Sequence, residues 1–324
     1  MQIAVSGSIA TDHLMQFDGQ FSDSLVVEQL DKISLSFLVD DLDVRRGGVA
    51  GNISFGMGSL GLRPLLVGAV GKDFAEYRTW LEDHGVDTSP VWVSDTRHTA
   101  RFVCTTDRAT AQIATFYSGA MAETGEISLK QVADQYGGLD LVVIGASDPD
   151  GMLRHTEECR THGIPFLADC SQQLAFMDGD GIRALVDGAR YLFTNEYEAT
   201  LTEQKTGWSP EEILDRVGTR VTTLGADGVR IEQRGESTVQ VKAAAVGQIA
   251  DPTGSGDGFR AGFLSGLAWG LPHERCAQLG SVLAAYVLEV DGPQEYAFDS
   301  GKFLQRFTET FGATAAADVE PHLR

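Results

Sequence analysis

Positive charge is scarce in this sequence. Its 324 residues include 25 Lys and Arg against 46 Asp and Glu, a formal net charge of −21 at pH 7. Proteins bind nucleic acids and anionic membrane surfaces through clustered basic side chains. The composition therefore argues against both as partners, whereas a small substrate or a metal-bound nucleotide is compatible with it.

Long apolar runs and paired cysteines are also missing. Met1 leads directly into an apolar segment that is typical of a buried strand, with neither a basic leader nor a long hydrophobic stretch. The cysteines are scattered without metal-type or disulfide-type spacing: Cys104, Cys159, Cys170 and Cys276. We expect a cytoplasmic protein with reduced thiols.

Two common nucleotide-binding motifs and a zinc site are excluded as well. No Gly-x-x-x-x-Gly-Lys-Ser/Thr segment occurs, so the chain has no P-loop. Residues 56–61 have the glycine spacing of the dinucleotide fingerprint, but they lie inside a predicted helix that precedes a strand, the reverse of the required order. His155, Cys159 and His162 share one predicted helix face without a fourth ligand, which favours an ordinary helix face over zinc.

Short apolar strands alternate with helical segments along most of the chain. This rhythm predicts an α/β fold with a doubly wound, mostly parallel central sheet and helices on both faces. Ligands of such sheets bind at the carboxyl ends of the strands. The predicted strands are residues 3–8, 65–68, 141–145, 165–169, 191–194 and 221–224.

Alternating apolar and polar residues predict a small β-sheet lid. Residues 100–105 and 112–117 form a hairpin pattern, residues 34–39 alternate like a partly exposed strand, and another strand lies near 91–93. A polar loop that contains Asp12 and His13 is expected after the first predicted strand. The predicted lid comprises residues 16–46 and 91–118, inserted into a large α/β domain of residues 1–15, 47–90 and 119–324.

The segment Asp251–Phe263 combines a phosphate cradle with a carboxylate. Gly254, Ser255 and Gly256 precede an apolar run with helical spacing, so their amides should lie at a helix N-terminus, which attracts anions. Asp257 then falls in the first turn. A carboxylate beside a bound phosphate is useful as a base that takes a proton from an attacking hydroxyl. The alternative is an Asp that only stabilises the helix dipole.

This segment resembles the C-terminal signature of the PfkB (ribokinase-like) family of carbohydrate and nucleoside kinases. Residues 47–52, Gly-Gly-Val-Ala-Gly-Asn, resemble the N-terminal signature of the same family, about 200 residues earlier. The resemblance covers essentially the whole chain and is closest to adenosine kinases of the actinobacterial type. It implies a ribokinase-like fold and an ATP-dependent phosphotransferase that acts on an alcohol group.

The resemblance also assigns residues to the phosphate donor. Asn195 and Glu198 match its Asn-x-x-Glu motif for magnesium and phosphate placement, with Glu198 acting through water. Thr223, Gly225 and Gly228 resemble its ATP-binding Thr-x-Gly-x-x-Gly. Without the family, the first pair is equally typical of a helix capping box, and the second motif of a glycine turn between hairpin strands.

Further matches concern the acceptor. Asp12, Gly48 and Asn52 occupy acceptor-binding positions, and Asp12 could accept two hydrogen bonds from a vicinal diol, although an Asx turn is the alternative. A purine base needs flat apolar walls in addition to hydrogen bonds. The likeness to actinobacterial adenosine kinases gives this recognition to the following residues: Ser8, Phe102, Phe116, Gln172 and Gln173. Both phenylalanines could instead be lid core or dimer contacts.

The expected activity is adenosine kinase, with Mg²⁺ accompanying the co-substrate ATP and the product AMP serving purine salvage. Asp251 and Thr253 resemble a monovalent cation site, so potassium is a second expected ion. Exposed edges of the lid predict a homodimer formed through the lid. Two alternatives stay open: a ribokinase- or fructokinase-type sugar kinase of the same family, and a catalytically silent nucleoside-binding protein.

Overall fold

An eight-stranded sheet forms the centre of the computed structural model, which describes residues 1–25, 31–32 and 34–323. In chain order the strands are β1 (Ile3–Ser6), β2 (Ala10–Phe17), β3 (Leu42–Gly47), β4 (Leu65–Val67), β5 (Ala69–Val70), β6 (Trp92–Val93), β7 (Ala100–Asp107), β8 (Gln112–Tyr117), β9 (Leu141–Ile144), β10 (Phe166–Ala168), β11 (Tyr191–Asn195), β12 (Thr219–Thr223), β13 (Val229–Glu232) and β14 (Val239–Val241). The central sheet has the order β14-β13-β12-β11-β10-β9-β1-β4. All neighbours from β4 to β12 are parallel, whereas β13 and β14 are antiparallel. The predicted mostly parallel sheet is confirmed.

Helices cover both faces of this sheet. They are α1 (Phe21–Ser24), α2 (Val49–Ser59), α3 (Ala75–Asp83), α4 (Leu129–Tyr136), α5 (Pro149–His162), α6 (Gln173–Phe176), α7 (Gly179–Val186), α8 (Glu196–Thr206), α9 (Pro210–Leu214), α10 (Ser255–Ala268), α11 (His273–Leu288), α12 (Ser300–Phe311) and α13 (Ala313–Val319). Within the residues that the structure describes, no helix is both long and apolar enough to cross a membrane.

The central sheet has a buried apolar cluster on each of its faces, and strand periodicity explains why there are two. Successive strand residues point to opposite faces, so Val5 packs in one buried cluster with α2, α10 and α11, while Ala4 packs in the other with α4, α5 and α7. Both faces of the parallel strands are therefore apolar, which is why those strands read as continuous hydrophobic runs.

The small sheet has the strand order β3-β2-β7-β8. Its β7–β8 pair is the hairpin predicted from alternation, and β2–β3 is also antiparallel, while β2–β7 is parallel. Residues 26–30 and 33, which fall in the predicted lid segment 16–46, lie outside the described residues.

Three local predictions are corrected. Residues 10–17 form strand β2 rather than a polar loop, because the small sheet is only half-buried and accommodates polar side chains. Residues 34–39 belong to no strand. Trp92 and Val93 form a strand, but it pairs with Ala69–Val70 in a separate two-stranded sheet. Such pairings depend on tertiary neighbours that alternation does not reveal.

Candidate active site

A cavity of about 800 Å³ lies between the central sheet and the small sheet. The carboxyl ends of β1, β11 and β12 and the N-termini of α2 and α10 meet there. Most predicted site residues line it: Ser8, Asp12, Gly48, Asn52, Phe102, Phe116, Gln172, Gln173, Asn195, Glu198, Thr223, Gly225, Asp251, Thr253, Gly254, Ser255, Gly256 and Asp257. Gly228 is not a lining residue; it accepts a hydrogen bond from the Leu224 amide in the turn between β12 and β13. The topology thus assembles groups from most of the chain.

The glycine bend, residues 254–256, opens α10 onto this cavity. Gly254 is the N-cap, with a left-handed backbone at φ 76°, and no side chain of the described residues caps the helix. A Cβ at Gly254 would collide with Pro293. The first turn of a helix has N–H groups without intrahelical partners and a partial positive charge, so the bend suits an anion.

Asp257 lies in the first turn of α10 and lines the cavity. Its Oδ2 accepts a hydrogen bond from Asn52 Nδ2 at 2.8 Å. Burial raises the pKa of this carboxyl to about 6, although Arg260 and the Asn52 hydrogen bond oppose the rise. A carboxylate with this pKa is ionised at neutral pH and can still accept a proton.

Asn52, predicted to bind the acceptor, has a second contact that fixes its orientation. Its Oδ1 accepts a hydrogen bond from Gln294 Nε2 at 2.9 Å, and that same nitrogen donates to the Tyr77 hydroxyl at 2.5 Å. The amide of Asn52 therefore donates to Asp257 by necessity, because its oxygen is already used. Both residues are held as one unit at the cavity wall.

Arg260 is a cavity-lining residue that sequence reasoning missed. Its Nη2 donates to Asp169 Oδ1 at 2.7 Å, its Nε forms an ion pair with Asp169 Oδ2, and Nη2 lies 4.0 Å from Glu198 Oε2. Both ion-pair side chains are buried. A signal was present: Arg260 is a lone charge in an apolar helical run, one turn after Asp257, and a buried charge requires a partner.

Asn195 and Glu198 form a helix capping box and also face the cavity, so the two interpretations of their motif are compatible. The Glu198 amide donates to Asn195 Oδ1 at 2.8 Å and the Asn195 amide to Glu198 Oε2 at 2.7 Å, which is a capping box on α8. Both residues also line the cavity. Burial raises the pKa of Glu198, with Arg260 acting against the rise.

The donor set at this edge fits a magnesium ion held through water. Carboxylate and amide oxygens are hard ligands of the kind that Mg²⁺ prefers, and the ion usually keeps several waters beside substrate phosphates. Within residues 1–25, 31–32 and 34–323 no group of three or more His, Cys, Asp or Glu could hold a metal. This finding is compatible with a magnesium ion that is held by one or two protein oxygens and by the phosphates of the nucleotide.

Asp12, Gly48 and Ser8, from the start of the chain and of α2, also line the cavity. Burial raises the pKa of Asp12 to about 6, a rise that Arg45 limits and Asp251 assists. Gly48 is the N-cap of α2 at φ 89°, where a Cβ would collide with backbone atoms of residues 8–10. The Ser8 hydroxyl accepts a hydrogen bond from the Val49 amide at 3.0 Å, so it stabilises the start of α2.

An aromatic wall adjoins these polar groups. Phe102 and Phe116 are direct partners across β7 and β8, so both side chains lie on the same face of the small sheet, and both line the cavity. Further apolar lining residues are Leu14, Met121 and Phe176. Directly paired residues of an antiparallel pair are close enough to form one continuous surface.

Gln172 and Gln173 follow β10 and line the cavity. The Gln173 side-chain amide donates to the Ser147 carbonyl at 2.7 Å, and Gln172 Oε1 accepts from the Ser171 hydroxyl at 3.2 Å. Ser171 has a left-handed φ of 45°, which is costly for a residue with a Cβ and is often found at functional sites. The loop is therefore held in a specific conformation.

The carboxylate of Asp251 is already paired. Its Oδ1 accepts from the Thr253 amide at 2.8 Å, and its Oδ2 lies 3.3 Å from Arg45 Nη1. The potassium site predicted at Asp251 and Thr253 would have to share this carboxylate with Arg45.

The excluded motifs lie away from the cavity lining. His155 is buried, with Nδ1 2.8 Å from the Ser6 hydroxyl and Nε2 3.0 Å from the Ile127 carbonyl, so both ring nitrogens have partners inside the core. The glycines of residues 56–61 fall within and just after α2. Both observations agree with their interpretation as ordinary helical segments.

Comparison with known proteins gives a consistent family. The model of the pfkB family of carbohydrate kinases matches residues 22–299. A nucleoside kinase from Methanothermobacter thermautotrophicus is 31% identical over 275 residues, which is 82% of this chain and 85% of that protein. The ligand-free nucleoside kinase from Burkholderia thailandensis is 34% identical with a TM-score of 0.85, covering 94% of this chain and 99% of that one.

The same Burkholderia enzyme in complex with ADP-inosine is also 34% identical, with a TM-score of 0.81 and coverage of 96% of each chain. The nucleoside kinase from Methanocaldococcus jannaschii, an archaeal member of the ribokinase family, has a TM-score of 0.81 at 24% identity, over 95% of this chain and 99% of that one. The predicted ribokinase-like fold is confirmed. The finer likeness to actinobacterial adenosine kinases stays a prediction.

Proposed function

The chain belongs to the PfkB family of carbohydrate kinases, and we propose that it is a nucleoside kinase that transfers the γ-phosphoryl of ATP to the 5′-hydroxyl of adenosine, giving AMP and ADP. The aromatic wall of the cavity carries the choice of acceptor. A sugar is recognised mainly through hydrogen bonds, whereas a purine gains from flat apolar surfaces. Phe102 and Phe116 offer such surfaces beside the polar groups Asp12, Gly48 and Asn52.

Asp257 is the proposed general base. It takes the proton of the acceptor hydroxyl as the oxygen attacks the γ-phosphorus, and the bond to the β-phosphate oxygen breaks. Asn52 holds the carboxylate in place by donating to Oδ2, which leaves the other oxygen for the hydroxyl. Arg260 limits the pKa rise caused by burial, so that the base is ionised near neutral pH.

The glycine bend is the proposed anion hole. The backbone amides at the N-terminus of α10 would offset the negative charge on the transferring phosphoryl group, because they have no partners within the helix. These are the amides of Gly254, Ser255 and Gly256. Asn195, Thr223 and Gly225 would hold ATP on the same side, and Gly228 would act by shaping the turn after β12. Glu198 would hold Mg²⁺ through water, and the bound ion would help to neutralise the charge of the phosphates.

We propose that two glutamines recognise the purine ring of the nucleoside. The side-chain amides of Gln172 and Gln173 have both donor and acceptor atoms, as the Watson–Crick edge of adenine does. The relative from Burkholderia thailandensis, solved in complex with ADP-inosine, shows that a chain with this fold accommodates a purine nucleoside. Adenosine is the acceptor that we propose here, with inosine as the comparison substrate.

A coupled assay of ADP release tests this function. The panel contains adenosine, inosine, guanosine, cytidine, ribose and fructose, each with ATP and Mg²⁺. We expect the largest kcat/KM for adenosine and at least about a tenfold smaller value for ribose, because the base contributes apolar and hydrogen-bonding contacts that ribose lacks.

Other rankings would redirect the assignment. A preference for ribose or fructose would identify a sugar kinase of the same family. Tight nucleoside binding without ADP release would identify a silent binding protein. Preference for inosine over adenosine would keep the nucleoside kinase and remove adenosine as its main acceptor.

We further propose that the enzyme acts in the cytoplasm, where it would return adenosine to the nucleotide pool by purine salvage, and that it is a homodimer joined through the small sheet. The support for pairing is the exposed edge strand β8, which has two large side chains outside the cavity lining with exposed fractions of 47% and 44%: Ile113 and Tyr117. Exposed apolar edges of this kind tend to pair with a second copy.

A further inference from the structure

Arg45 reaches from the small sheet to the loops beside the glycine bend. Its Nη1 lies 3.3 Å from Asp251 Oδ2 and 3.3 Å from Asp291 Oδ1, while its Nε is 2.6 Å from Asp43 Oδ2. The side chains of Arg45 and Asp251 have exposed fractions of 19% and 16%, so salt screens their pairing less than that of a surface pair. The guanidinium of Arg45 thus connects strand β3 to two loops of the large α/β domain, those that contain Asp251 and Asp291.

The arrangement does not fit a potassium ion at Asp251. Potassium is bound by several oxygen atoms that replace its hydration shell, and a neighbouring cation repels it. Here one oxygen of Asp251 accepts from the Thr253 amide and the other faces Arg45. A potassium ion would have to displace the guanidinium or share the carboxylate with it.

We propose that the guanidinium of Arg45 takes the place of a monovalent cation and holds the glycine bend in its anion-binding shape. The chain of contacts is short: Arg45 pairs with Asp251, the other oxygen of Asp251 accepts from the Thr253 amide, and Gly254 follows directly with its left-handed backbone. Arg45 is thereby a positioning residue for phosphoryl transfer. This inference rests on the proposed kinase activity.

The same residue also connects the bend to Asp12, a proposed acceptor-binding residue. Arg45 is the direct partner of Asp12 across β3 and β2, so their side chains share a face of the small sheet. Arg45 also limits the pKa of Asp12. Loss of the guanidinium is therefore expected to increase KM for the nucleoside in addition to weakening nucleotide binding.

The test compares potassium chloride with tetramethylammonium chloride at equal ionic strength, in the wild type and in Arg45→Met. The wild type should have the same kcat/KM for ATP, within about twofold, in both salts, because its positive charge is built in. Arg45→Met should lose about tenfold or more in tetramethylammonium and recover several-fold in potassium, which can enter the vacated position. Calorimetric titration with ADP, independent of turnover, should show the same salt pattern in its Kd.

Arg46→Met is the matched control. Arg46 is the next residue of the same strand, but it pairs with Glu76 and Glu295 and stacks over Trp80, away from Asp251. The kcat/KM for ATP and the Kd for ADP of this variant should be the same in both salts. Arg45→Lys, which keeps a positive charge, should also be independent of the salt, and the melting temperature of each variant identifies any that fails to fold.

Two results would overturn the inference. One is a wild-type enzyme whose turnover and ADP affinity both rise about tenfold or more in potassium. The other is a folded Arg45→Met variant with no potassium response in either measurement. A wild type that binds ADP but phosphorylates no nucleoside would instead refute the proposed function, while its ADP titrations in both salts would still decide the role of Arg45.

Discussion

At the scale of single residues, the substitution Asp257→Asn tests whether this carboxylate is catalytic or only stabilises the helix. Replacement by Asn preserves the shape of the side chain and removes the proposed general base, so kcat should fall by roughly 10²–10⁴-fold, while the Kd values for ADP and adenosine change little. Rapid-quench turnover and calorimetry measure these quantities. Asp150→Asn is the matched control, because Asp150 is also an acidic residue in the first turn of a helix, α5, and does not line the cavity. Equal losses in both variants, or a kcat within tenfold of wild type for Asp257→Asn, would reject the base.

The pH dependence of turnover belongs to the same scale. Burial raises the pKa of Asp257 to about 6, and a base must be ionised to act. We therefore expect kcat to fall as the pH decreases through about 6 and to be level above it. The pKa of Asp12 is also raised to about 6, so kcat/KM for the nucleoside should decrease more steeply than kcat. A kcat that is unchanged between pH 5 and pH 7 would contradict the assignment.

At the scale of elements, the start of α10 depends on a backbone that only glycine adopts cheaply. A Cβ at Gly254 adds strain at φ 76° and a collision with Pro293, so Gly254→Ala should displace the bend and lower kcat/KM for ATP by about tenfold or more. Gly270→Ala provides the control after the other end of this helix, because Gly270 has the same φ of 76° but open space around its Cβ. That variant should lose only about 1–2 kcal/mol of stability and keep its activity. Similar kinetics for the two variants would remove the bend as an anion hole.

At the scale of the whole molecule, the question is whether two small sheets pair. Light scattering should give about twice the chain mass of 34.8 kDa at micromolar concentration. Ile113→Lys places a charge on the exposed edge strand β8, without touching the cavity lining, and should yield monomers. Val93→Lys is the control, since Val93 is similarly exposed but lies in the separate two-stranded sheet. A wild type that is monomeric throughout this range would exclude the dimer.

Much of the architecture and part of the site follow from local patterns. Continuous apolar strands predict a parallel sheet covered on both faces, and the period-two hairpin places Phe102 and Phe116 on one surface. The glycine bend followed by Asp257 is a contiguous segment, so its geometry depends on the start of a single helix. Each of these features involves residues that are close in sequence or that repeat with a strand period.

The sequence by itself therefore determined the fold class, the glycine bend and the residue that we propose as base. Only the tertiary structure decided the partners: Asn52 with Gln294, Arg260 with Asp169, and Arg45 with Asp251 are joined across 242, 91 and 206 residues. It also decided that residues 10–17 form a strand, because two neighbouring strands offer hydrogen bonds there. Local propensity and periodicity describe single elements, whereas a charge–charge contact or an added strand depends on how those elements pack together.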